Sequence, residues 1–449
     1  MSDESLDVMN FLNEVVLRYP QAISFAPGRP AEEHFDVEGS LAKVALWVDH
    51  HAAATGRPRG AVFADLGQYG KTNGIIKDLI ARQLRADEGI AVDPAAIVVT
   101  SGAQEAMAIL LMGLFDEERA DRDVLLASDP TYIGITGLAR ILGIPLHPVA
   151  CGPQGLEPAA VAAAIRAVRA AGGRPRAVYD VPDFNNPLGT RMPLAARRAL
   201  LELARREEVL LFEDNPYGMF AYDGPPSPTL KSLEAALGCG GTVVYLGSFS
   251  KTLFPGLRMG YLLVDQEVEI DAGGAGGRRV LLAEELSKIK SLTTVNTPQL
   301  LQALVGGILL EQGGTLGGLM AAKLPTYRAR RDAMLAALDR HFGGDPRLAA
   351  TVAWNRPEGG FFLTLTLPFD FGAAELDACA RDYGAIVCPL PFFAVLPGEG
   401  GREREIRLSF SYVSEARIEE GIARLARFVR DRLGEPVVAR SAAAAAASR

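Results

Sequence analysis

One pattern recurs along this chain: a short apolar run rich in β-branched residues, a turn rich in Gly, Pro, Asn or Asp, then an alanine-rich stretch. Alternating strand and helix patterns are typical of α/β proteins with a mainly parallel sheet. We therefore predict an α/β fold. Helices are expected after Pro158 and Pro193, because proline suits the first turn of a helix. The clearest predicted strands are Ala96–Thr100, Val124–Ala127, Ala177–Val181, Val209–Phe212 and Val243–Leu246.

The character of the sequence changes near Met320. Arg328, Arg330 and Arg331 lie on a predicted long helix, and we expect these arginines to form a solvated face. The segments that follow alternate in the way that half-exposed strands do; they are Gly359–Leu365, Ala385–Cys388 and Glu405–Phe410. We predict an N-terminal arm over residues 1–35, a large domain over 36–320, a smaller α+β domain over 321–435 and a disordered tail over 436–449.

The composition restricts the partners of the chain. Its 449 residues are 49% hydrophobic and 22% charged, which is enough to form a large core. A net charge of -8 argues against nucleic acid as the main partner. The cysteines and histidines lack the spacing of a metal site, and no apolar run approaches the ~20 residues that span a bilayer. With an acidic N-terminus unlike a signal peptide and thiols expected to be reduced, we predict a cytoplasmic protein that acts on small molecules.

A lysine follows the last predicted strand. Ser248 and Ser250 precede Lys251, and Arg258 comes seven residues after it. Burial or a nearby positive charge lowers the pKa of a lysine, so that its amine reacts with an aldehyde near neutral pH. Hydroxyls and a forked guanidinium are groups that hold a phosphate. The pattern indicates pyridoxal phosphate at Lys251; the alternative is a solvated lysine in an ordinary loop.

Other loops after predicted strands add groups at the same edge of the sheet, where open α/β sheets bind ligands. The turn Ser101–Gln104 opens a helix whose N-terminus suits an anion. Tyr132 offers a ring against which a planar cofactor can lie, and Asn186 offers an amide. Asp214 would keep a pyridine nitrogen protonated, and Tyr217 follows three residues later. An ordinary turn or packing explains each group alone, but together they supply what one cofactor needs.

These motifs, SGAQ, PTY, NNPLG, EDNPYG, SFSK and GLRMG, resemble those of fold-type I pyridoxal-phosphate enzymes of the class I/II aminotransferase family. The resemblance spans about Ile23 to Val429 and implies a large domain with a mainly parallel central sheet plus a smaller α+β C-terminal domain. It implies that Lys251 forms the Schiff base and moves the substrate proton, that Asp214 pairs with the ring nitrogen and that Tyr132 stacks on the ring. The other implied cofactor contacts are Asn186 and Tyr217 at the ring oxygen, and Ser248, Ser250, Arg258, Ala103 and Gln104 at the phosphate. Many relatives have serine in place of Ala103, so one phosphate contact is absent.

The resemblance also implies contacts to substrate and to a second subunit. Arg407 resembles the arginine that grips the α-carboxylate of the substrate, and Asn186 is implied as a further substrate contact. Tyr69 resembles a tyrosine that reaches the phosphate of a neighbouring subunit, which implies a homodimer with shared active sites. Arg29 lies in a segment that forms part of the substrate pocket in this branch, and it would meet a substrate hydroxyl or a second carboxylate.

The motif set most resembles the branch of 2-aminoadipate, kynurenine and aromatic aminotransferases. This implies ping-pong transfer of an amino group between an L-amino acid and a 2-oxo acid. A narrower resemblance, to actinobacterial transaminases that make arylglycines such as 3,5-dihydroxyphenylglycine for peptide antibiotics, implies an aromatic or arylglycine substrate. An amino-acid oxidase or decarboxylase would retain the same residues and stays an alternative. A regulator with a DNA-binding head is disfavoured, because only about thirty residues precede the catalytic pattern.

Overall fold

The computed structural model describes residues 14–115, 122–238, 240–270, 277–398 and 401–434. The predicted tail at 436–449 lies outside these residues. The strands are β1 (Ile23–Ser24), β2 (Ile97–Thr100), β3 (Asp123–Asp129), β4 (Leu146–Gly152), β5 (Gly155–Leu156), β6 (Arg174–Asp180), β7 (Leu210–Asp214), β8 (Val243–Ser248), β9 (Gly260–Leu263), β10 (Glu267–Ile270), β11 (Arg278–Leu281), β12 (Ala353–Trp354), β13 (Phe362–Thr366), β14 (Ala385–Ile386), β15 (Cys388–Pro389) and β16 (Glu405–Ser409).

The described part of helix α1 covers residues 14–18. The helices that follow are α2 (Val37–Thr55), α3 (Arg59–Asp65), α4 (Lys77–Glu88), α5 (Ala103–Leu114), α6 (Ile133–Ile141), α7 (Pro158–Ala170), α8 (Leu194–Arg206), α9 (Leu230–Ala236), α10 (Phe249–Thr252), α11 (Leu282–Thr293), α12 (Gln299–Glu311), α13 (Gly317–Leu338), α14 (Pro346–Ala349), α15 (Ala373–Ala378) and α16 (Glu415–Gly434). Within the described ranges, none of these helices has the length and apolar character needed to cross a membrane.

The large sheet has the strand order β2-β9-β8-β7-β6-β3-β4-β5. The pairs among β4, β3, β6, β7 and β8 are parallel, whereas β9 runs antiparallel to both of its neighbours. All five predicted strands lie in this sheet, and the α/β fold with a mainly parallel sheet is confirmed. The two faces of the sheet pack into different cores: Val98 contributes to one, and Ile97 and Val99 to the other. Helices begin at Pro158 and directly after Pro193, as predicted.

The strands β2, β3, β6, β7 and β8 all point the same way, so their carboxyl ends meet at one edge of the large sheet. Asp214 is the last residue of β7 and Ser248 the last of β8. The turn that begins helix α5 follows β2, and Tyr132 follows β3. The fold therefore collects the motif loops on one side of the molecule.

A second sheet, of order β12-β13-β16-β15, is antiparallel throughout. We expected half-exposed strands here, and for β16 this prediction is wrong, because its last four residues are all buried. The N-terminal arm covers this region. Strand β1 pairs in parallel with β14, and the backbone N–H of Ser409 donates to the carbonyl oxygen of Phe25 at 2.8 Å.

The prediction that the arginines of the long helix α13 form a solvated face is wrong for Arg330 and Arg331, whereas Arg328 is exposed as predicted. Arg330 and Arg331 are each only 6% exposed. Arg330 donates to the carbonyl oxygen of Ser411 at 2.7 Å, and Arg331 donates to that of Pro357 at 3.0 Å while pairing with Asp223. Helix α13 is thus held by hydrogen bonds from buried guanidinium groups to distant loops and by partly exposed ion pairs, which the local sequence pattern does not reveal.

Candidate active site

A cavity of about 340 Å³ opens at the carboxyl edge of the large sheet. Loops at the ends of the parallel strands, the N-terminal arm and the C-terminal part of the chain all contribute to its walls. Of the predicted site residues, the cavity brings together Arg29, Ala103, Gln104, Tyr132, Asn186, Asp214, Tyr217, Ser248, Ser250, Lys251, Arg258 and Arg407. Tyr69 does not line the cavity; it is 83% exposed on the surface of this chain.

Lys251 lies on the short helix α10, directly after β8. Its Nζ donates to the carbonyl oxygen of Gly28 in the N-terminal arm at 2.8 Å. Burial, together with the positive charges of Arg407 and Arg258, lowers the pKa of the Lys251 amine to about 8, while the carboxylate of Asp214 opposes this shift. The amine is therefore partly neutral, and hence nucleophilic, near physiological pH.

One carboxylate oxygen of Asp214 accepts a hydrogen bond, and the other accepts none from the residues that the structure describes. Its Oδ2 accepts a hydrogen bond of 2.6 Å from the hydroxyl of Tyr179, whereas Oδ1 is buried without a partner among the described residues. Burial raises the pKa of Asp214 to about 6, although the Tyr179 hydrogen bond and the charge of Lys251 lower it. A buried oxygen needs a donor. The protonated nitrogen of a pyridine ring meets that need.

The sequence did not single out Tyr179, because this residue lies within a strand whose side chains look like ordinary core. The available signal was a tyrosine in a buried strand, since a buried hydroxyl usually finds a hydrogen-bond partner. Other lining residues were overlooked for the same reason, as apolar side chains that resemble core. They are Val16, Met107, Ile133 and Val181.

Three polar side chains line the cavity between Asp214 and the N-terminal arm. Burial raises the pKa of Tyr132 to about 12 and also raises that of Tyr217, so both phenols stay protonated at neutral pH. The Oδ1 of Asn186 accepts from Nη1 of Arg407 at 2.7 Å. This hydrogen bond leaves the amide Nδ2 of Asn186 as a donor, which suits a phenolate oxygen on a bound ring.

The start of helix α5 forms an anion cradle. Gly102 precedes the helix with a φ of 80°, and a Cβ there would lie 2.8 Å from Nη2 of Arg258. The first N–H groups of a helix have no intrahelical acceptor and carry the positive end of the helix dipole. Ser248 at the end of β8 and Ser250 on helix α10 adjoin the cradle, and Ser248 Oγ accepts from the Ser250 N–H at 3.2 Å. These groups fit a phosphate.

A second anion site is built around Arg407 on β16. Its guanidinium lies 4.5 Å from the ring centroid of Phe362 and 4.6 Å from that of Phe393, and it also donates to the carbonyl oxygen of Ala26. Burial lowers the pKa of Arg407 from its usual value. The Nε of Arg407 is buried and has no partner among the described residues. This free donor fits a substrate carboxylate.

Arg29 lies at the mouth of the cavity. Its guanidinium lies 4.4 Å from the ring centroid of Tyr412, and its carbonyl oxygen accepts from the hydroxyl of Ser411 at 2.7 Å. The backbone of Arg29 is thereby fixed, while its side chain remains exposed at the entrance.

A partly neutral lysine, a carboxylate with a free oxygen, a group of donors that fits a phosphate and a second that fits a carboxylate share one cavity. Together with the fold, they define the class of fold-type I enzymes that act on amino acids through a pyridoxal cofactor.

A profile of the aminotransferase class I and II family matches residues 56–425, and the chain belongs to this family. It is 42% identical to the (S)-3,5-dihydroxyphenylglycine transaminase of Amycolatopsis orientalis, over 97% of this chain and 94% of that one. It is 31% identical to the 2-aminoadipate transaminase of Thermus thermophilus, over 91% of this chain and 90% of that one. The crystal structure of Pyrococcus horikoshii kynurenine aminotransferase in complex with PMP has a TM-score of 0.78 to this chain, with 26% identity and coverage of 96% and 97%. The prediction of an aminotransferase is confirmed, and the family implies pyridoxal phosphate.

Proposed function

We propose that this chain binds pyridoxal 5'-phosphate at Lys251 and transfers an amino group between an arylglycine-type L-amino acid and a 2-oxo acid. The observation that carries the cofactor assignment is the free, buried Oδ1 of Asp214 in the same cavity as the partly neutral Lys251. When bound, the cofactor supplies an electron sink for the α carbon of the substrate. The phosphate would be held by Ala103, Gln104, Ser248, Ser250 and Arg258, the ring by Tyr132 and Asp214, and the ring oxygen by Asn186 and Tyr217.

The proton transfer belongs to Lys251. Its amine would move the proton between the α carbon of the substrate and the cofactor, which requires a neutral Nζ and a fixed substrate. Arg407 fixes the substrate by its α-carboxylate, because its forked donors match the two carboxylate oxygens. Since Asn186 binds Arg407 at 2.7 Å, the amide also keeps the guanidinium in place.

The apolar wall supports an aromatic substrate. Met107, Ile133 and Phe393 line the cavity together with Val16. A ring attached directly to the α carbon would lie against this wall, and the relative at 42% identity is named for such a substrate. Arg29 at the mouth would bind a ring hydroxyl or the second carboxylate of the other substrate.

An exposed apolar patch supports a homodimer with shared active sites. Tyr69, Leu292, Val295 and Leu300 are 83%, 89%, 44% and 55% exposed. Gln299 donates to the carbonyl oxygen of Gln68, which holds Tyr69 next to the start of α12. Exposed apolar patches on soluble proteins often mark interfaces. In the dimer, Tyr69 would reach the cofactor phosphate of the partner subunit.

Steady-state kinetics test the substrate class. We expect (S)-3,5-dihydroxyphenylglycine and phenylglycine to give higher kcat/KM values than 2-aminoadipate, phenylalanine or glutamate, each measured against the same panel of 2-oxo acids. A higher kcat/KM for 2-aminoadipate than for any aromatic donor would overturn the arylglycine assignment. The aminotransferase activity itself would still hold.

A further inference from the structure

The turn that carries Asp214 and Tyr217 is held in place by hydrogen bonds that lie outside the cavity. The backbone N–H of Asn215 donates to the carbonyl oxygen of Leu246 on β8 at 3.0 Å, and the Oδ1 of Asn215 accepts from the N–H of Gly218 at 2.9 Å. A Cβ on Gly218 would lie 2.5 Å from Asn215 Oδ1, so a larger residue there would displace the Asn215 side chain. The side chain of Asn215 therefore sets the shape of the segment between the two cavity-facing residues.

Glu88, the last residue of helix α4, accepts a hydrogen bond from the other end of the Asn215 side chain. Its Oε2 accepts from Nδ2 of Asn215 at 3.2 Å and from the hydroxyl of Tyr245 at 2.5 Å. Nδ2 of Asn215 also lies 3.0 Å from the Tyr245 hydroxyl, so the three groups form a closed triangle. Glu88 is half-buried and faces a separate cavity of about 280 Å³, which Met219 and Met320 also line.

A carboxylate at this place fixes the direction of the Asn215 amide. Burial raises the pKa of Glu88 to about 7, although the hydrogen bonds from Tyr245 and Asn215 oppose this shift. Above that pH the carboxylate is ionised and only accepts hydrogen bonds, so Nδ2 must face Glu88 and Oδ1 must face Gly218. A glutamine side chain also carries a donor, and it therefore allows the opposite orientation of both amides. With Asn215 reversed, Gly218 loses its acceptor and the turn is free to change shape.

We propose that Glu88 is a positioning residue for Asp214 and Tyr217, acting through Asn215. This inference rests on the proposed function, because Asp214 and Tyr217 matter as cofactor contacts. Glu88 itself does not line the catalytic cavity and touches neither substrate nor cofactor. Its role is to hold the free oxygen of Asp214 and the phenol of Tyr217 where a pyridine ring needs them.

The test compares Glu88→Gln with Asp87→Asn. Asp87 is the adjacent carboxylate on the same helix end, but it accepts from the N–H of Leu316 at 2.8 Å and from Gln83 at 2.9 Å, away from the turn. For each full-length variant we would measure the dissociation constant of pyridoxal phosphate from the cofactor-free protein, the pH titration of the absorbance of the bound cofactor, and Tm. We expect Glu88→Gln to weaken cofactor binding about tenfold and to shift the titration, whereas Asp87→Asn changes only Tm.

A double-mutant cycle with Asn215→Ala gives an independent result. If Glu88 acts through Asn215, Glu88→Gln reduces cofactor affinity in the wild-type background but causes no further reduction in the Asn215→Ala background. Should Glu88→Gln fail to fold, Tyr245→Phe removes one donor of the same triangle and is expected to weaken cofactor binding by a smaller factor. The inference would be overturned if either Glu88→Gln or Tyr245→Phe bound the cofactor with wild-type affinity and gave the wild-type titration. Failure of the wild-type protein to bind pyridoxal phosphate would instead contradict the proposed function.

Discussion

The chemistry at the scale of single residues depends on how the cavity sets two protonation states. Lys251 is buried beside Arg407 and Arg258, and the pKa of its amine is lowered to about 8. Asp214 is buried as well, but Tyr179 donates to it, and its pKa rises only to about 6. Between these two values the lysine is mostly protonated and the carboxylate mostly ionised. In the proposed reaction, the amount of neutral Lys251 would therefore limit cofactor attachment at neutral pH.

We expect the rate of covalent cofactor attachment to follow the neutral fraction of Lys251. Because the pKa of the free amine is about 8, the rate should fall with decreasing pH below that value and level off above it. Each pH unit well below the pKa should cost about tenfold. Stopped-flow absorbance after mixing cofactor-free protein with pyridoxal phosphate measures the rate. A pH profile with its midpoint near the ordinary lysine pKa of about 10.4 would contradict the account.

Replacing Tyr179 with phenylalanine removes the hydroxyl that donates to Asp214 Oδ2 at 2.6 Å. That hydrogen bond lowers the pKa of Asp214, so its loss raises the pKa further, and the carboxyl then becomes protonated at a higher pH. We expect cofactor affinity to fall about tenfold, with the acid-side loss of affinity moved to higher pH. Equilibrium titrations across pH measure both. Tyr222→Phe is the matched control, because its buried hydroxyl donates instead to the carbonyl oxygen of Gly360.

At the scale of secondary-structure elements, the start of helix α5 depends on close packing from several directions. Glu105, in the first turn of α5, accepts a hydrogen bond from the Ser101 N–H. It also forms an ion pair of 2.8 Å with Lys290 of helix α11, and the Lys290 side chain is fully buried. A Cβ on Gly260 would lie 2.9 Å from the carbonyl carbon of Gly102. The phosphate cradle is thus fixed by neighbouring elements as well as by its own sequence.

Gly102→Ala should weaken the phosphate cradle selectively. The left-handed φ of 80° makes any side chain costly there, and the new Cβ would displace the Arg258 guanidinium. Gly56→Ala is the control, because Gly56 also has a positive φ, of 68°, but nothing lies within 4 Å of its added Cβ. Gly56→Ala should lose about 1 kcal/mol of unfolding free energy, and Gly102→Ala about 1–3 kcal/mol, because its ψ of 172° lies in a region that only glycine occupies readily. Only Gly102→Ala should also weaken binding of pyridoxal phosphate, by about tenfold.

Equal cofactor affinity of the two glycine variants would show that the space next to Arg258 does not matter for phosphate binding. Chemical unfolding and equilibrium cofactor titration of the same preparations separate the two effects.

For the whole molecule, features that local sequence patterns encode could be predicted. Features that depend on contacts between residues far apart in the chain could not. The strands, the helix starts and the motif loops are local, and the parallel sheet brings the loops to one edge. The burial of Arg330 and Arg331 depends on acceptors from loops far along the chain, and that of β16 on the N-terminal arm. In the sequence Tyr179 resembles an ordinary core residue, because only the folded structure places its hydroxyl beside Asp214. The domain boundaries stay a prediction.

Mixed dimers test whether Tyr69 serves the partner subunit. Lys251→Ala removes the reactive amine, and Tyr69→Phe removes a phosphate contact that we assign to the opposite site. In a mixed dimer, one site has an intact Lys251 together with Tyr69 of the Lys251→Ala subunit. Activity at limiting cofactor should therefore rise when the two variants are unfolded and refolded together. Absence of any recovery, with mixed dimers verified by mass, would assign Tyr69 to its own subunit or to no site.

If an amino group passes through a cofactor on Lys251, as we propose, a half-reaction with the amino donor alone must go to completion. Protein loaded with pyridoxal phosphate is mixed with an arylglycine in the absence of any 2-oxo acid, and cofactor and products are quantified after denaturation. We predict one equivalent of pyridoxamine phosphate and one of the matching 2-oxo acid per site, and none from Lys251→Ala. Recovery of unchanged pyridoxal phosphate together with carbon dioxide, ammonia or hydrogen peroxide would contradict the account.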